Sequence, residues 1–196
     1  MTSTHEPPYA PDGRSNKERM LAGDPYIADD AELEEWYYSA TDLTTAYNAT
    51  TPRQKPLRRH LLEQLLGSIG EGTEIRPPFR VDYGRHISIG ARCFANFGLS
   101  ALDVGPITIG DDVQIGPNVQ LLTPTHPLEA GPRRDKWEGA RPITIGDNVW
   151  LGGGVIVCPG VTIGADTVVG AGAVVTKDLP AGVLALGNPA RVVRQL

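Results

Sequence analysis

Ile145-Gly-Asp-Asn-Val-Trp-Leu151-Gly-Gly-Gly-Val-Ile-Val157-Cys-Pro-Gly-Val-Thr-Ile163-Gly-Ala-Asp-Thr-Val-Val169-Gly-Ala-Gly-Ala-Val-Val175 places an aliphatic residue at every sixth position. Gly146, Gly152, Gly164 and Gly170 follow four of them, and Val149, Val155, Val161, Thr167 and Ala173 recur at a second fixed place in each unit. A period of six belongs neither to a lone helix nor to a lone alternating strand. It marks a repeat of one short strand and one turn. Three units close a triangular coil of about 18 residues, and successive coils stack at about 4.8 Å. The aliphatic position points into the prism. The glycine beside it is expected to supply both a close approach and an unusual φ at the corner. A sandwich would instead space its strands at about 8–12 residues and alternate polar with apolar.

Working outward, the beat continues back through Leu121, Ile115-Gly116 and Ile109-Gly110. Ile107, Ala101, Ala95 and Ile89 form one earlier run and Ile87, Val81 and Ile75 another, with shifts of two residues that predict larger corners in the first coils. The beat stops from Leu122 to Pro142, a stretch that holds His126, Trp137 and Glu138. A long loop ejected from a rigid scaffold is more often functional than not.

The N-terminal part reads differently. Residues 1–14 are proline-rich and polar, a flexible tail without an apolar leader core. From 15 to 70 the pattern is helical. Ser15 caps a helix ended by Gly23, and Asp29 or Asp30 caps a second from Ala31 to about Ala49. The second helix carries a stripe of Leu33, Trp36, Tyr37, Ala40, Leu43 and Tyr47. Pro56 opens a third, with Leu57, Leu61, Leu62, Leu65, Leu66 and Ile69 as its stripe and Gly70 as its end. Such a block shields the open end of a solenoid, which needs a cap. The β-helix is expected over 71–179, with loop 122–142, and a segment over 180–196 leaves the repeat and packs back on it.

The chain has 196 residues and a formal net charge of −5. Basic residues form no long run, so nucleic acid is not an expected partner. No stretch approaches the length of a membrane-spanning helix. Cys93 and Cys158 lack metal-ligand spacing and suit a reducing compartment, so a cytoplasmic location is expected. His126, at the mouth of the loop, is the side chain best suited to take a proton near neutral pH. A lone histidine is otherwise usually structural or a surface residue, and its position at the break in the repeat favours the functional reading. His5, His60 and His86 lie in the tail, a helix and before a strand, so no three-histidine zinc site of a γ-type carbonic anhydrase is in view.

The order of motifs resembles the maltose/galactoside O-acetyltransferase branch of the hexapeptide-repeat acyltransferases. The residues that carry it are Met20-Leu-Ala-Gly23 with Tyr26, Val81-Asp-Tyr-Gly84, Ile87-Ser-Ile-Gly90, Phe94-Ala-Asn96-Phe, Thr125-His126-Pro127, Pro142 to Gly152, Val175-Thr176-Lys177-Asp178 and Gly187-Asn188-Pro189-Ala190-Arg191. The resemblance implies a left-handed parallel β-helix, mainly β, with an N-terminal α-helical cap. It implies a homotrimer with active sites between subunits. It also implies direct transfer of acetyl from acetyl-CoA to a sugar hydroxyl, with no metal.

On matching positions His126 is the general base, Glu138 the acid beside it, and Asn96 a substrate or transition-state ligand. Asp103, Tyr83 and Asp29 fall near the acceptor. Asp29 stands one step beyond the family's acidic position, which Ala28 occupies here. Trp150, Gly153, Ala171, Thr176, Lys177, Arg191 and Arg194 match positions along the CoA groove, and a backbone N–H near Gly152 and Gly153 matches the oxyanion donor. Other acceptors (an antibiotic, serine or an amine) and a non-catalytic scaffold remain alternatives within the same fold.

Overall fold

A computed structural model describes Tyr9 and residues 12–196, so the expected tail falls largely outside the described residues. Its body is a parallel β-helix of three faces. The first face stacks Ser68–Ile69, Ile87–Ile89, Ile107–Ile109, Ile143–Ile145 and Thr162–Ile163. The second stacks Glu74–Ile75, Phe94–Ala95, Gln114–Ile115, Trp150–Leu151, Val168–Val169 and Val183–Leu186. The third stacks Phe79–Val81, Leu99–Leu102, Gln120–Leu122, Ile156–Val157 and Val174–Val175. Strands this short are stable only because each pairs above and below in register, as Ile109 does with Ile89 and Ile145.

The six-residue beat is the core. Ile115, Leu151 and Val169 on the second face and Leu121, Val157 and Val175 on the third are buried in register, and Val113, Val149, Val119, Val155 and Val161 fill the corners. Full burial of one such side chain contributes roughly 1.5–3 kcal/mol.

The glycine beside each inward residue does half of what its position predicted. A Cβ on Gly146 would stand 2.6 Å from the Ala165 backbone nitrogen, and one on Gly152 would stand 2.5 Å from that of Ala171. These glycines therefore permit close stacking. The positive φ falls two residues later, on Arg92, Asp112, Asn148 and Asp166 at one edge and on Gly98, Asn118, Gly154 and Gly172 at the next. Asp and Asn tolerate the left-handed region better than most residues, which suits them to these corners.

Helix α1 (Asn16–Ala22) starts at Ser15 in a capping box with Glu18 and ends at Gly23 in the left-handed conformation. Helix α2 (Ala31–Asn48) is capped by Asp30, not Asp29. Leu33, Ala40 and Tyr47 of its stripe are buried, but Tyr37 is not. Asn48 grips the first strand of the third face: its Nδ2 donates to Phe79 O at 2.9 Å and its Oδ1 accepts from Phe79 N at 2.8 Å. Helix α3 (Lys55–Leu65) lays Leu61, Leu62 and Leu65 on the core. It stops before the expected Gly70. Leu66 is extended and Ile69 lies in the first strand, because strand pairing with Ile89 outcompetes another helical turn.

Two further boundaries move. Val183–Leu186 still belongs to the repeat, pairing parallel with Val168–Val169, and only Arg191–Gln195 folds back antiparallel upon it. The ejected loop carries structure of its own: Pro124–Thr125, helix α4 (Ala130–Arg134) and Trp137–Ala140. Trp137–Ala140 pairs with Pro124–Thr125 on one side and with Tyr26–Ile27 on the other. The loop is thereby pinned to the N-terminal segment. No helix among the described residues is long and apolar enough to cross a membrane.

Candidate active site

Where the third face turns to the first, the chain is longer than elsewhere. From Val81 to Ile89 and from Ala101 to Ile109 there are two more residues than from Val157 to Ile163. Both shifts in the beat thus fall on one edge. The extra length of the second coil there carries Asp103, which is fully buried. Its Oδ1 accepts from Asp82 N at 3.1 Å and Tyr83 N at 2.9 Å, and its Oδ2 from His86 N at 3.2 Å. Asp103 therefore presents no exposed oxygen to an acceptor in this chain, although its matching position falls near one. With its oxygens taken by backbone donors, it holds the turn that presents Asp82 and Tyr83.

In the third coil the same edge gives rise to the ejected loop. Thr123 anchors its root, donating to Leu102 O at 2.7 Å and accepting from Gly105 N at 2.8 Å. His126 follows, exposed, with Nδ1 at 3.5 Å from Trp137 O. A proton on Nδ1 directed at that carbonyl leaves Nε2 as the basic nitrogen. The ring faces this carbonyl, and no hydrogen bond joins His126 to Glu138 among the described residues. Burial pushes the Glu138 carboxyl up, and the Tyr26 hydroxyl and then the charge of His126 partly offset it.

His126 and Glu138 stand at the wall of a cavity of about 470 Å³, together with Asp29, Tyr83 and the previously unmarked Tyr26, Asp82, Glu34 and Tyr37. The volume lies in the range of small-ligand sites. The Asp82 carboxyl is pushed up to about 7, by burial first and then by the negative charges of Asp103 and Glu138. The Tyr26 phenol is raised by burial and then by Glu138. Its buried hydroxyl has Glu138 as its hydrogen-bonding neighbour, in a geometry just short of a full bond. Tyr26 and Asp82 lay within the motifs that carried the resemblance, but a repeat register does not reveal that two distant segments meet. Two further cavities also open on His126 and Glu138. One is lined by Arg141 and Pro159 and the other by Asp29, Arg133 and Lys136.

The remaining expected residues lie elsewhere. Asn96 is on the edge between the second and third faces, with Oδ1 accepting from Phe97 N at 2.9 Å. Gly153 and Ala171 follow on the same edge, through Gly154 N to Pro117 O and Gly172 N to Gly153 O. The N–H groups of Gly152 and Gly154 are both used within the coil stack, whereas that of Gly153 is in no described backbone bond. Trp150 is 55% exposed on the second face, where Arg191 and Arg194 also lie on the returning strand. Thr176 and Lys177 are exposed and follow the third face, on the loop-bearing edge. One chain therefore brings together His126, Glu138, Asp29 and Tyr83 but not Asn96. Among the described residues no group of three or more histidine, cysteine or acidic side chains is arranged to hold a metal.

The maltose acetyltransferase hexapeptide capping motif matches residues 19–70. The hexapeptide repeat of succinyl-transferase matches 86–122, and the six-repeat bacterial transferase hexapeptide matches 142–177. Nodulation protein L of Rhizobium meliloti is 46% identical over 91% of this chain and 98% of that protein. The crystal structure of a maltose O-acetyltransferase from Clostridium difficile 630 superposes with a TM-score of 0.92 at 44% identity, covering 93% of this chain and 98% of that one. A galactoside acetyltransferase in complex with coenzyme A superposes with a TM-score of 0.89 at 38% identity, covering 93% and 91%.

Proposed function

The chain belongs to the hexapeptide-repeat acetyltransferases, in the branch of the maltose and galactoside O-acetyltransferases, and from that premise we propose direct transfer of acetyl from acetyl-CoA to a sugar hydroxyl with His126 as general base. The observation that carries this reading is the position of His126. It stands exposed at the wall of a sugar-sized cavity, its Nδ1 turned to a backbone carbonyl and its other nitrogen left basic.

In the reaction, His126 Nε2 takes the proton of the acceptor hydroxyl as the oxygen attacks the thioester carbonyl. Glu138, half-buried beside it, stabilises the imidazolium that forms. The imidazolium then returns the proton to the departing sulfur. The unused N–H of Gly153 is the proposed oxyanion donor; such a group is worth about 3 kcal/mol. Lys177, Arg191 and Arg194 offer exposed cations for phosphate oxygens, and Trp150, Ala171 and Thr176 the surface along the rest of the CoA molecule. Neither cysteine lies in the His126 cavity, so no acyl-enzyme step is invoked.

The site requires Asn96, and Asn96 lies on a different edge of the prism from His126. A homotrimer in which the Asn96 edge of one subunit meets the His126 edge of the next joins the two sets. Its placement in the cytoplasm fits the two free thiols.

The test is thiol release from acetyl-CoA with maltose, glucose, a thiogalactoside, chitooligosaccharide, serine and chloramphenicol as acceptors. Sugar-dependent release is expected, with turnover lowered by at least ~10²-fold in His126→Ala while acetyl-CoA still binds. Unchanged turnover in that variant removes His126 from the mechanism.

A further inference from the structure

The strand Trp137–Ala140 presents two groups to His126. The Trp137 carbonyl oxygen lies 3.5 Å from Nδ1, and Glu138 lines each of the three cavities that His126 lines. The two halves of this strand have different neighbours. Gly139 and Ala140 pair with Thr125 and Pro124, in the stretch that carries His126 itself. Trp137 and Glu138 pair instead with Ile27 and Tyr26 of the N-terminal segment. Before Trp137 comes Lys136, whose φ of 65° closes the turn out of α4. The two groups that face His126 therefore rest on the N-terminal segment rather than on the loop's own return.

That segment has only two residues of strand, and α1 holds it. Asn16 Oδ1 accepts from Ile27 N at 3.0 Å, and Arg19 Nε donates to Pro25 O at 2.6 Å. Arg19 then spans to the neighbouring strand. Its guanidinium carbon lies 5.1 Å from the centre of the Trp137 ring, within cation–π range. Arg19 is 4% exposed and Trp137 8%, so the contact is out of water, where such a pairing is strongest. Asp12 Oδ1 stands 3.2 Å from Arg19 Nη1 and balances its charge. Tyr9 sets a second ring against Trp137, at 5.9 Å between centres. The Trp137 side chain lines none of the three cavities on His126, so what it passes to the site passes through its backbone.

We propose that Arg19 is a positioning residue for acetyl transfer: by holding the Trp137 indole to the N-terminal segment it fixes the carbonyl and the carboxyl that face His126. This rests on His126 as the general base and adds the residue that orients it. A planar guanidinium suits the task, because it meets the indole while its Nε is tied to a backbone carbonyl. A lysine ammonium keeps the charge and loses the fork, and an apolar chain loses both. With the indole free to shift, the carbonyl opposite Nδ1 shifts with it. The ring then takes the other tautomer in part of the molecules, with Nε2 protonated and unable to accept.

The experiment measures turnover per acetyl-CoA-binding site in Arg19→Met, Arg19→Lys, Trp137→Leu and Trp137→Phe, with the nitrogen NMR signals of His126 in histidine-labelled protein. Arg19→Met and Trp137→Leu are each expected to lower kcat by about 10-fold, with KM for acetyl-CoA changed by no more than about twofold. Arg19→Lys and Trp137→Phe, which keep a cation over a ring, are expected to stay within about threefold of wild type. The double variant Arg19→Met, Trp137→Leu loses no more than the worse single one, because the pair acts as a unit. His126, assigned through His126→Ala, carries its proton on Nδ1 in the wild type and divides between tautomers in Arg19→Met. A merely structural role lowers the thermal midpoint and leaves turnover per site and the tautomer unchanged, and that result overturns the inference. Losses that multiply in the double variant overturn it as well. An unmoved tautomer, with transfer lost in His126→Ala, overturns the inference and leaves the general base standing. Full turnover in His126→Ala overturns the general-base reading and the inference with it. Where Arg19→Met misfolds, Trp137→Leu carries the same test from the other side of the contact.

Discussion

Asp82 is the carboxyl whose burial bears most directly on stability. Its carboxyl is pushed up to about 7 in the folded chain, from an ordinary 3.8. Between those values the folded state holds a proton that the unfolded state has lost, so stability falls as pH rises through that window. The full shift corresponds to at most ~4 kcal/mol, and solvent in the open cavity reduces it to ~1–2 kcal/mol. Asp82→Asn is therefore expected to raise the thermal midpoint by roughly 2–5 °C at pH 8, a gain that shrinks as pH falls toward 4. Scans at several pH values check this, and a pH-independent gain would show that the charge is not its cause. His126 was legible in the sequence because it sits where the repeat breaks. Asp82 was not, because nothing in Val81-Asp-Tyr-Gly84 says that Asp103, a coil away, buries its carboxylate beneath that turn.

At the scale of the element, the corner glycines separate by mechanism. A Cβ at Gly146 meets backbone at 2.6 Å, and backbone cannot move without displacing the next coil. Gly131, in α4 on the loop, has nothing within 4 Å of its notional Cβ. Gly146→Ala is expected to cost ~1–3 kcal/mol, in the range of overpacking, and Gly131→Ala less than ~0.5 kcal/mol. Urea unfolding of the two variants decides it; equal midpoints would mean that the coils part more easily than their stacking implies. The hexapeptide elements were readable because each inward residue is aliphatic at a fixed step. The loop was not, since Trp137–Ala140 takes one of its partners from Tyr26–Ile27 more than a hundred positions earlier. α3 was overextended for a related reason: Ile69 fits both a helical stripe and a strand, and only its pairing with Ile89 decides between them.

The whole molecule sets a geometric problem that a single chain does not solve. His126 belongs to the edge between the third and first faces, and Asn96 to the edge between the second and third. A rigid prism has no hinge to bring two edges together, so a site that uses both must draw on two copies. This arrangement makes a prediction by complementation. In the proposed homotrimer, His126→Ala and Asn96→Ala should each be inactive when refolded alone. Mixed by co-refolding, they should regain activity, because some sites then pair an intact His126 from one chain with an intact Asn96 from its neighbour. For random assembly of equal amounts, about one site in four is intact, so the mixture should approach a quarter of wild-type turnover. Were both residues supplied by the same chain, every site would carry one defect and mixing would restore nothing. The measurement is thiol release by the mixture against the two pure variants refolded in parallel. Restoration to about a quarter joins the two edges in one site, and its absence, in trimers shown to have mixed, removes Asn96 of the neighbouring chain from the chemistry.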